Sequence, residues 1–301
     1  MSIFVLLAPS LLLARKISPP TLTVEAEYGA EVVEGTLYTA AHHQPAGSPF
    51  AGRHVVDGGR PSPCNDRNIT HLGRGDVILI SHIDLDTIGG VLRAFPDYAD
   101  LFTEANQTFW DMAEFVDTNG AHRAHLFEGI TDEIARQMDA WYAYSKGMPR
   151  TSRDEVADVS GTIRDAGDAL RRIFAGDTAL LAAGNEFRQA ETNLNARTYD
   201  RRAEKGVIIR VARNERDFCN HLYAAPDGVV GRAIVSHNTT SGSITISLAE
   251  PERERANCRE IVQALWGVEA GGHKGIAGSP RGQRMATNEF DRAVAALIAA
   301  L

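Results

Sequence analysis

The stretch DVILISHIDLDTIGGVLRAF, Asp76–Phe95, decides how the chain is read. Its opening, DVILISH, is an unbroken apolar run of strand length, the pattern of a strand covered on both faces in a parallel sheet. TIGGVLRAF then reads as the start of a helix. Strand, acidic loop and helix make the first half of an α/β unit, and such sheets place their sites beyond the carboxyl ends of the strands. The loop holds His82, Asp84 and Asp86 within five residues. If it stays extended, alternation puts all three on one side. If the strand ends near Ser81, a tight loop turns them inward. Two carboxylates this close repel one another when ionised. A divalent cation removes that penalty, and a raised pKa on one of them is the alternative. Imidazole with carboxylates suits manganese, zinc or iron, whereas an all-oxygen set would suit magnesium or calcium. A solvated loop in which Asp86 caps a helix beginning near Thr87 also accounts for Asp86. It leaves His82, at the end of an apolar strand, without a role. Gly89 and Gly90 permit close backbone approach just afterwards.

The chain around this stretch has 301 residues, 44% hydrophobic and 23% charged, enough for two ordinary domains with a sizeable core. Its formal charge of −8 argues against a protein whose task is to clamp long nucleic acid. A small phosphorylated substrate stays open, because recognition of it depends on the local field. Cys64, Cys219 and Cys258 lie far apart and form neither zinc spacing nor a disulfide framework, which suits a reducing, cytoplasmic setting. The opening MSIFVLLAPSLLLARK is apolar, but its basic residues Arg15 and Lys16 follow the apolar run instead of preceding it. A buried strand or short helix is therefore expected there, not a signal peptide. With no run of 18 apolar residues, no membrane span is expected.

Residues 17–75 hold strand-like pieces, TLTVEAEYG and AEVVEGTLYTA, followed by a long loop from Gln44 to Asn68 with at most one short strand. DMAEFVD, Asp111–Asp117, reads as a strand or a short helix ending in a carboxylate. From about residue 127 to 203 the apolar positions recur at three and four residues, the spacing of helices. Met138, Trp141, Tyr142 and Tyr144 are expected in the core and between helices. After Gly206 the runs GVIIRVA, GVVGRAIVSHN and GSITISLA read as strands, while DFCNHLYAA, RANCREIVQALWG and EFDRAVAALIAAL read as helices. The expected architecture is α/β: a parallel-sheet N-terminal lobe over residues 1–204, with a helical connection to a smaller mixed-sheet α/β domain over residues 205–301.

Further candidates surround the central loop. Asp117, at the end of a neighbouring strand, would bridge two ions, and His122 in TNGAHRAH would complete a second site. His125 in the same run reads as a surface residue. Upstream, AAHHQ supplies His42 and His43 and PCNDRN supplies Asn65 and Asp66, which either serve the site directly or make ordinary hydrogen bonds. Two ions roughly 3.5–4 Å apart form the usual clamp for phosphoryl hydrolysis.

ILISHIDLDTIGG resembles the first motif of the DHH phosphoesterase superfamily, and GGHKGIAGSPRG, Gly271–Gly282, is similar to the glycine-histidine motif of the C-terminal domain that accompanies it. SHNTTSGSITISLA before it is similar to that domain's strands. The resemblance implies a two-domain hydrolase with a cleft between its lobes and one or two divalent ions, manganese by preference. It implies His82, Asp84, Asp86 and Asp117 as ligands, with Gly271, Gly272, His273 and Arg281 facing the substrate phosphate. No Asp-His-His triplet occurs, so His122 takes the place of that motif's histidine, or a single ion is bound. The N-terminal 75 residues match nothing in the family pattern.

The leading expectation is a metal-dependent phosphoesterase hydrolysing a small phosphate ester or diester, a nucleotide or a short oligonucleotide. A nuclease acting on nucleic-acid ends is the first alternative. It would need a basic track, for which Arg164, Arg171, Arg172, Arg201, Arg202 and Lys205 are the candidates. A non-enzymatic nucleotide-binding protein with a degenerate metal site is the second.

Overall fold

Short apolar runs broken by glycine, proline and polar turns become strands, and runs with three-four apolar spacing become helices. The computed structural model describes residues 3–28, 31–44, 47–53, 58–149, 151–152, 154–214, 217–249, 252–272, 274–280 and 283–301, without the side chains of residues 121 and 122. The elements run β1 (Phe4–Leu7), α1 (Leu11–Ala14), β2 (Leu22–Val24), β3 (Glu27–Tyr28), β4 (Glu31–Val32), β5 (Tyr38–Ala40), β6 (Val77–Ile80) and α2 (Leu85–Arg93). They continue α3 (Gln107–Asn119), α4 (Asp132–Lys146), β7 (Ala157–Asp158), α5 (Ser160–Phe174), α6 (Thr178–Thr198) and β8 (Tyr199–Arg202). The last are β9 (Val207–Ala212), β10 (Ala233–Asn238), β11 (Ser243–Leu248), α7 (Cys258–Trp266), β12 (Gly271–Gly272), β13 (Ile276–Gly278) and α8 (Thr287–Ala300). The chain divides into two compact units, Met1–Thr118 with Ala124–Phe187, and Asn119–Arg123 with Arg188–Leu301.

In the first unit the sheet order is β5-β2-β6-β1-β7. The first four strands are parallel and β7 runs antiparallel to β1 at the edge. β6 lies in the middle, and Ile78, Leu79 and Ile80 are all 0% exposed. That position explains the unbroken apolar run, since both faces of the strand are covered. Ile78 and Ile80 join Val5, Ile88, Trp110 and Ile163 in the main core, while Leu79 packs with Ala8, Ala14 and Ala26 on the other face.

α2 carries the two glycines of the central stretch. A Cβ on Gly89 would sit 2.5 Å from the Cys64 Cβ, and one on Gly90 would sit 2.5 Å from the Pro63 Cβ. The pair lets α2 lie directly against the 3-10 turn Pro63–Asn65, whose Cys64 is itself fully buried.

The second unit is built on a mixed sheet ordered β12-β13-β11-β10-β9-β8, in which only β9 and β10 are parallel. Alternate residues of β9 serve opposite faces. Val207 and Ile209 join Val262 of α7 and Phe290 and Leu297 of α8, while Ile208 packs with Tyr223 and Ala225. Arg210, on the Ile208 face, is 0% exposed. Its guanidinium donates to the carbonyls of Asn195, Leu222 and Ala224 and to the side chains of Asn195 and Thr198. Burial lowers its pKa to about 10.

The expected α/β class is what the fold shows, a parallel-rich sheet and a separate mixed one. Two local expectations are corrected. DMAEFVD is no strand, because Asp117 lies on α3, where Phe109, Trp110, Met112 and Ala113 are buried at helical spacing. The described part of DFCNHLYAA forms turns, not a helix, and Arg210 engages two of its carbonyls. No helix among the described residues is long and apolar enough to cross a membrane.

Two substitutions test this packing by chemical denaturation. Gly90→Ala gains helix propensity of about 1 kcal/mol, yet overpacking against Pro63 and Val24 costs about 1–3 kcal/mol, so a net loss of stability is expected. A higher unfolding midpoint would contradict the close approach. Arg210→Met leaves several buried carbonyls without a donor, and a loss of about 2–4 kcal/mol is expected.

Candidate metal centre

Four segments deliver the site. Glu25 follows β2, is 0% exposed and has a left-handed backbone, φ 50°. Its N–H donates to the Ala40 carbonyl at 2.8 Å and its own carbonyl accepts from the Ser81 hydroxyl, so the neighbouring strand ends hold it on both sides. A non-glycine residue in this conformation costs about 1–3 kcal/mol and persists only where its surroundings impose it. His42 and His43 follow β5. Their backbone N–H groups both donate to the Glu27 carboxylate at 3.1 Å, and the Gln44 side chain donates to it at 2.9 Å. His82 and Asp84 follow β6, and Asp86 lies in the first turn of α2. Asp117 comes from α3 and accepts from the Ser62 hydroxyl at 2.9 Å.

The side chains converge around Glu25 and His42. Glu25 Oε1 is 2.8 Å from His43 Nε2 and 3.1 Å from His42 Nε2, and its Oε2 is 3.4 Å from His82 Nε2. Thr87 donates its hydroxyl to the same carboxylate. His42 Nε2 lies 3.2 Å from Asp117 Oδ2 and 3.8 Å from Asp86 Oδ2. Asp84 Oδ2 accepts from His82 Nε2 at 3.0 Å, while its Oδ1 accepts from the Thr87 N–H at 3.2 Å. Asp84, not Asp86, is therefore the N-cap of α2, and the helix begins at Leu85. Among the described residues, three groups have ligand atoms within 4.8 Å of one another: Glu25 with His42 and His43, Glu25 with His82 and Asp84, and His42 with Asp86 and Asp117.

Charge in this space is unevenly borne. Burial, joined by the charges of Glu25, Asp84 and Asp117, pushes the Asp86 carboxyl well above its ordinary value. Burial also opposes the Glu25 charge, but hydrogen bonds from His42 and His43 outweigh it and hold that carboxyl well below the usual range. Asp84 is lowered in the same manner, with His82 overcoming burial. Burial opposes the imidazolium charges too. Asp117 and Glu25 nevertheless raise His42 to about 10, Asp84 and Glu25 raise His82 to about 9, and Glu25 raises His43. Asp86 Oδ2 is buried without a hydrogen-bond partner among the described residues. A buried carboxylate oxygen left bare beside imidazole nitrogens and further carboxylates is the donor chemistry of a divalent cation site, and this set fits one.

His82, Asp84, Asp86 and Asp117 are thus brought together. The side chain of His122 lies outside the described residues, as do His273 and Arg281 entirely. Gly271 and Gly272 form β12, and a Cβ on Gly272 would meet the Ile276 carbonyl at 2.4 Å, so a tight hairpin already requires that glycine. His125 is exposed. Asp66 is buried, accepting from the Tyr38 hydroxyl at 2.7 Å, and Asn65 donates to the Trp110 carbonyl and to Glu114. Both secure the loop and stand apart from the ligand groups. Glu25 is the residue that sequence reasoning missed. Its one signal was a carboxylate at the end of a β-branched run, TLTVE.

No protein-family model matches the chain, and no curated protein matches it. Among solved structures it is similar to the pGpG-specific phosphodiesterase PggH of Vibrio cholerae over 67% of this chain and 64% of that one, at 12% identity and a TM-score of 0.35. It is also similar to an exopolyphosphatase-related protein of Bacteroides fragilis over 75% of this chain and 58% of that one, at 11% identity and a TM-score of 0.30. The chain therefore spans less than two thirds of either protein. Likenesses this loose establish no family, and the chemistry is read from the site itself.

A cation bound here stabilises the folded chain by mass action. Mn2+ added to chelator-treated protein is expected to raise the thermal unfolding midpoint. Glu25→Gln keeps the side chain's shape but removes a charge shared by two of the three groups, and should cut that rise by half or more. An equal rise in the variant would place the cation elsewhere.

Proposed function

We propose that the chain is a metal-dependent phosphoesterase acting on a small phosphate ester or diester. The observation that carries this is the convergence of Glu25, His42, His43, His82, Asp84, Asp86 and Asp117 at the carboxyl ends of parallel strands, in groups that share Glu25 and His42. These residues would hold one or two divalent ions, with manganese the first choice for a mixed nitrogen and oxygen donor set. Such an ion supplies Lewis-acid stabilisation to the phosphoryl oxygens and a lowered pKa to the attacking water. Glu25, His42 and Asp86 are buried and serve as anchors. The side chains of His43, His82 and Asp84 are 40%, 44% and 46% exposed, and they form the face that meets substrate. The role of Gly271, Gly272, His273 and Arg281 in gripping the phosphate rests on the sequence resemblance alone.

The nuclease alternative has less support, because much of its candidate basic track is already paired within the chain. Arg171 pairs with Asp100 and Asp168, Arg172 with Asp177, Arg201 with Asp200 and Arg202 with Asp227. Cations held by neighbouring carboxylates give up little of their charge to a nucleic-acid backbone.

Asp84→Asn preserves the helix cap, since asparagine caps as well as aspartate, and Asp86→Ala removes the bare buried oxygen. Each is expected to lower Mn2+-dependent hydrolysis of bis(p-nitrophenyl) phosphate by at least about a hundredfold with an unchanged circular dichroism spectrum. Near wild-type turnover in both folded variants would refute the assignment.

A further inference from the structure

His82 is one of the exposed ligand candidates, and packing alone does not fix its ring. With Ser81 and Asp84 it borders a cavity of about 1000 Å3 beyond the carboxyl ends of β1 and β6. The orientation of the ring therefore falls to its hydrogen bonds, and these differ at the two nitrogens. Nε2 is turned inward, 3.0 Å from Asp84 Oδ2 and 3.4 Å from Glu25 Oε2. Nδ1 lies 2.8 Å from the Ser81 hydroxyl oxygen.

A hydroxyl has a single proton to donate. Ser81 donates its own to the Glu25 carbonyl, an oxygen that can only accept. With that proton committed, Ser81 Oγ can only accept from the ring, so Nδ1 is the nitrogen that carries a hydrogen. An imidazole protonated on Nδ1 presents the lone pair of Nε2. The opposite tautomer would set a proton where Glu25 and Asp84 converge and aim the lone pair at Ser81. Glu25 thus acts twice: its carboxylate faces Nε2, and its carbonyl, through Ser81, selects which nitrogen stays free. His42 repeats the arrangement more loosely. Its Nε2 lies 3.1 Å from Glu25 and 3.2 Å from Asp117, its Nδ1 lies 3.5 Å from the Ser62 hydroxyl oxygen, and Ser62 donates to Asp117. A 3.5 Å contact is weak, and burial already confines the His42 ring. Ser81 is therefore the serine whose loss the centre should register.

We propose that Ser81 is a positioning residue that holds the His82 proton on Nδ1 and so reserves Nε2 as the atom that ligates a divalent cation. The inference rests on the metal-centre reading and adds to it the ligating atom and the group that selects it. Any proton on Nε2 leaves to water when an ion takes its place, while Nδ1 keeps its own. Loss of an outer partner of this kind lowers metal affinity by about 10–100-fold.

The test loads the full chain, carrying isotope-labelled histidine, with Cd2+ as a diamagnetic stand-in for Mn2+. NMR then reads the spin coupling between cadmium and the imidazole nitrogens, with the His82 signals assigned by their loss in His82→Gln. Coupling to Nε2 of His82 and a proton on its Nδ1 are expected. In parallel calorimetry, Ser81→Ala should bind Cd2+ at least about tenfold more weakly, whereas Ser81→Thr, which keeps the hydroxyl, should stay within about threefold of wild type. A purely structural role for Ser81 would lower the unfolding midpoint of the ion-free protein without this split in affinity. Coupling to Nδ1, no coupling to His82, Ser81→Ala binding as tightly as wild type, or equal losses in both variants overturns the proposal and leaves the metal centre standing. No Cd2+ or Mn2+ binding by the wild type overturns the metal-centre reading itself, and this inference with it.

Discussion

Four carboxylates and three imidazoles crowded at one edge of a parallel sheet are the constraint that the first unit is built to satisfy. Two carboxylates about 4 Å apart repel by roughly 4 kcal/mol at an effective dielectric near 20. Glu25 is fully buried among these groups, and it stays ionised because imidazoles face both of its oxygens. At Asp86 the His42 imidazole stands off at 3.8 Å, beyond hydrogen-bond range, and the carboxyl is pushed up. The centre is thus electrostatically uneven, with a paired part around Glu25 and a bare oxygen at Asp86. A divalent cation held here would resolve both conditions at once, neutralising the carboxylates and giving the bare oxygen a partner.

The scaffold around this cluster is held by many small contacts. Ser81 and Ala40 grip the backbone of Glu25, Glu27 collects the N–H groups of His42 and His43, and Ser62 fixes Asp117. Gly89 and Gly90 bring α2 against Pro63 and Cys64. Ser62 directly precedes these two, so the turn that packs on α2 also supplies the hydroxyl that positions Asp117. Ligand placement and core packing are therefore coupled through one short turn. Outer groups of this kind orient metal ligands and restrict their rotamers.

Exposure divides the labour at the centre. Buried residues fix the charge pattern, while His43, His82 and Asp84 reach solvent. The neighbouring cavity continues from the last two into an apolar and hydroxyl-bearing wall.

Much was legible in the residues alone. The apolar run of β6 announced a central parallel strand because only a strand covered on both faces tolerates such composition. The helices of residues 132–198 and the later strands followed from period, and His82, Asp84 and Asp86 stood out because their spacing joins charge to a strand end. Asp117 was found as a residue while its run stayed open between strand and short helix, since a short apolar run does not by itself separate the two. Glu25 and the direct association of His42 and His43 with it were decided only by the tertiary structure. Their segments are far from Asp84 in sequence, and only parallel pairing of β5, β2 and β6 brings the three strand ends side by side. Local pattern sets which residues can carry charge at a strand end; strand order, a long-range property, sets which of those charges meet.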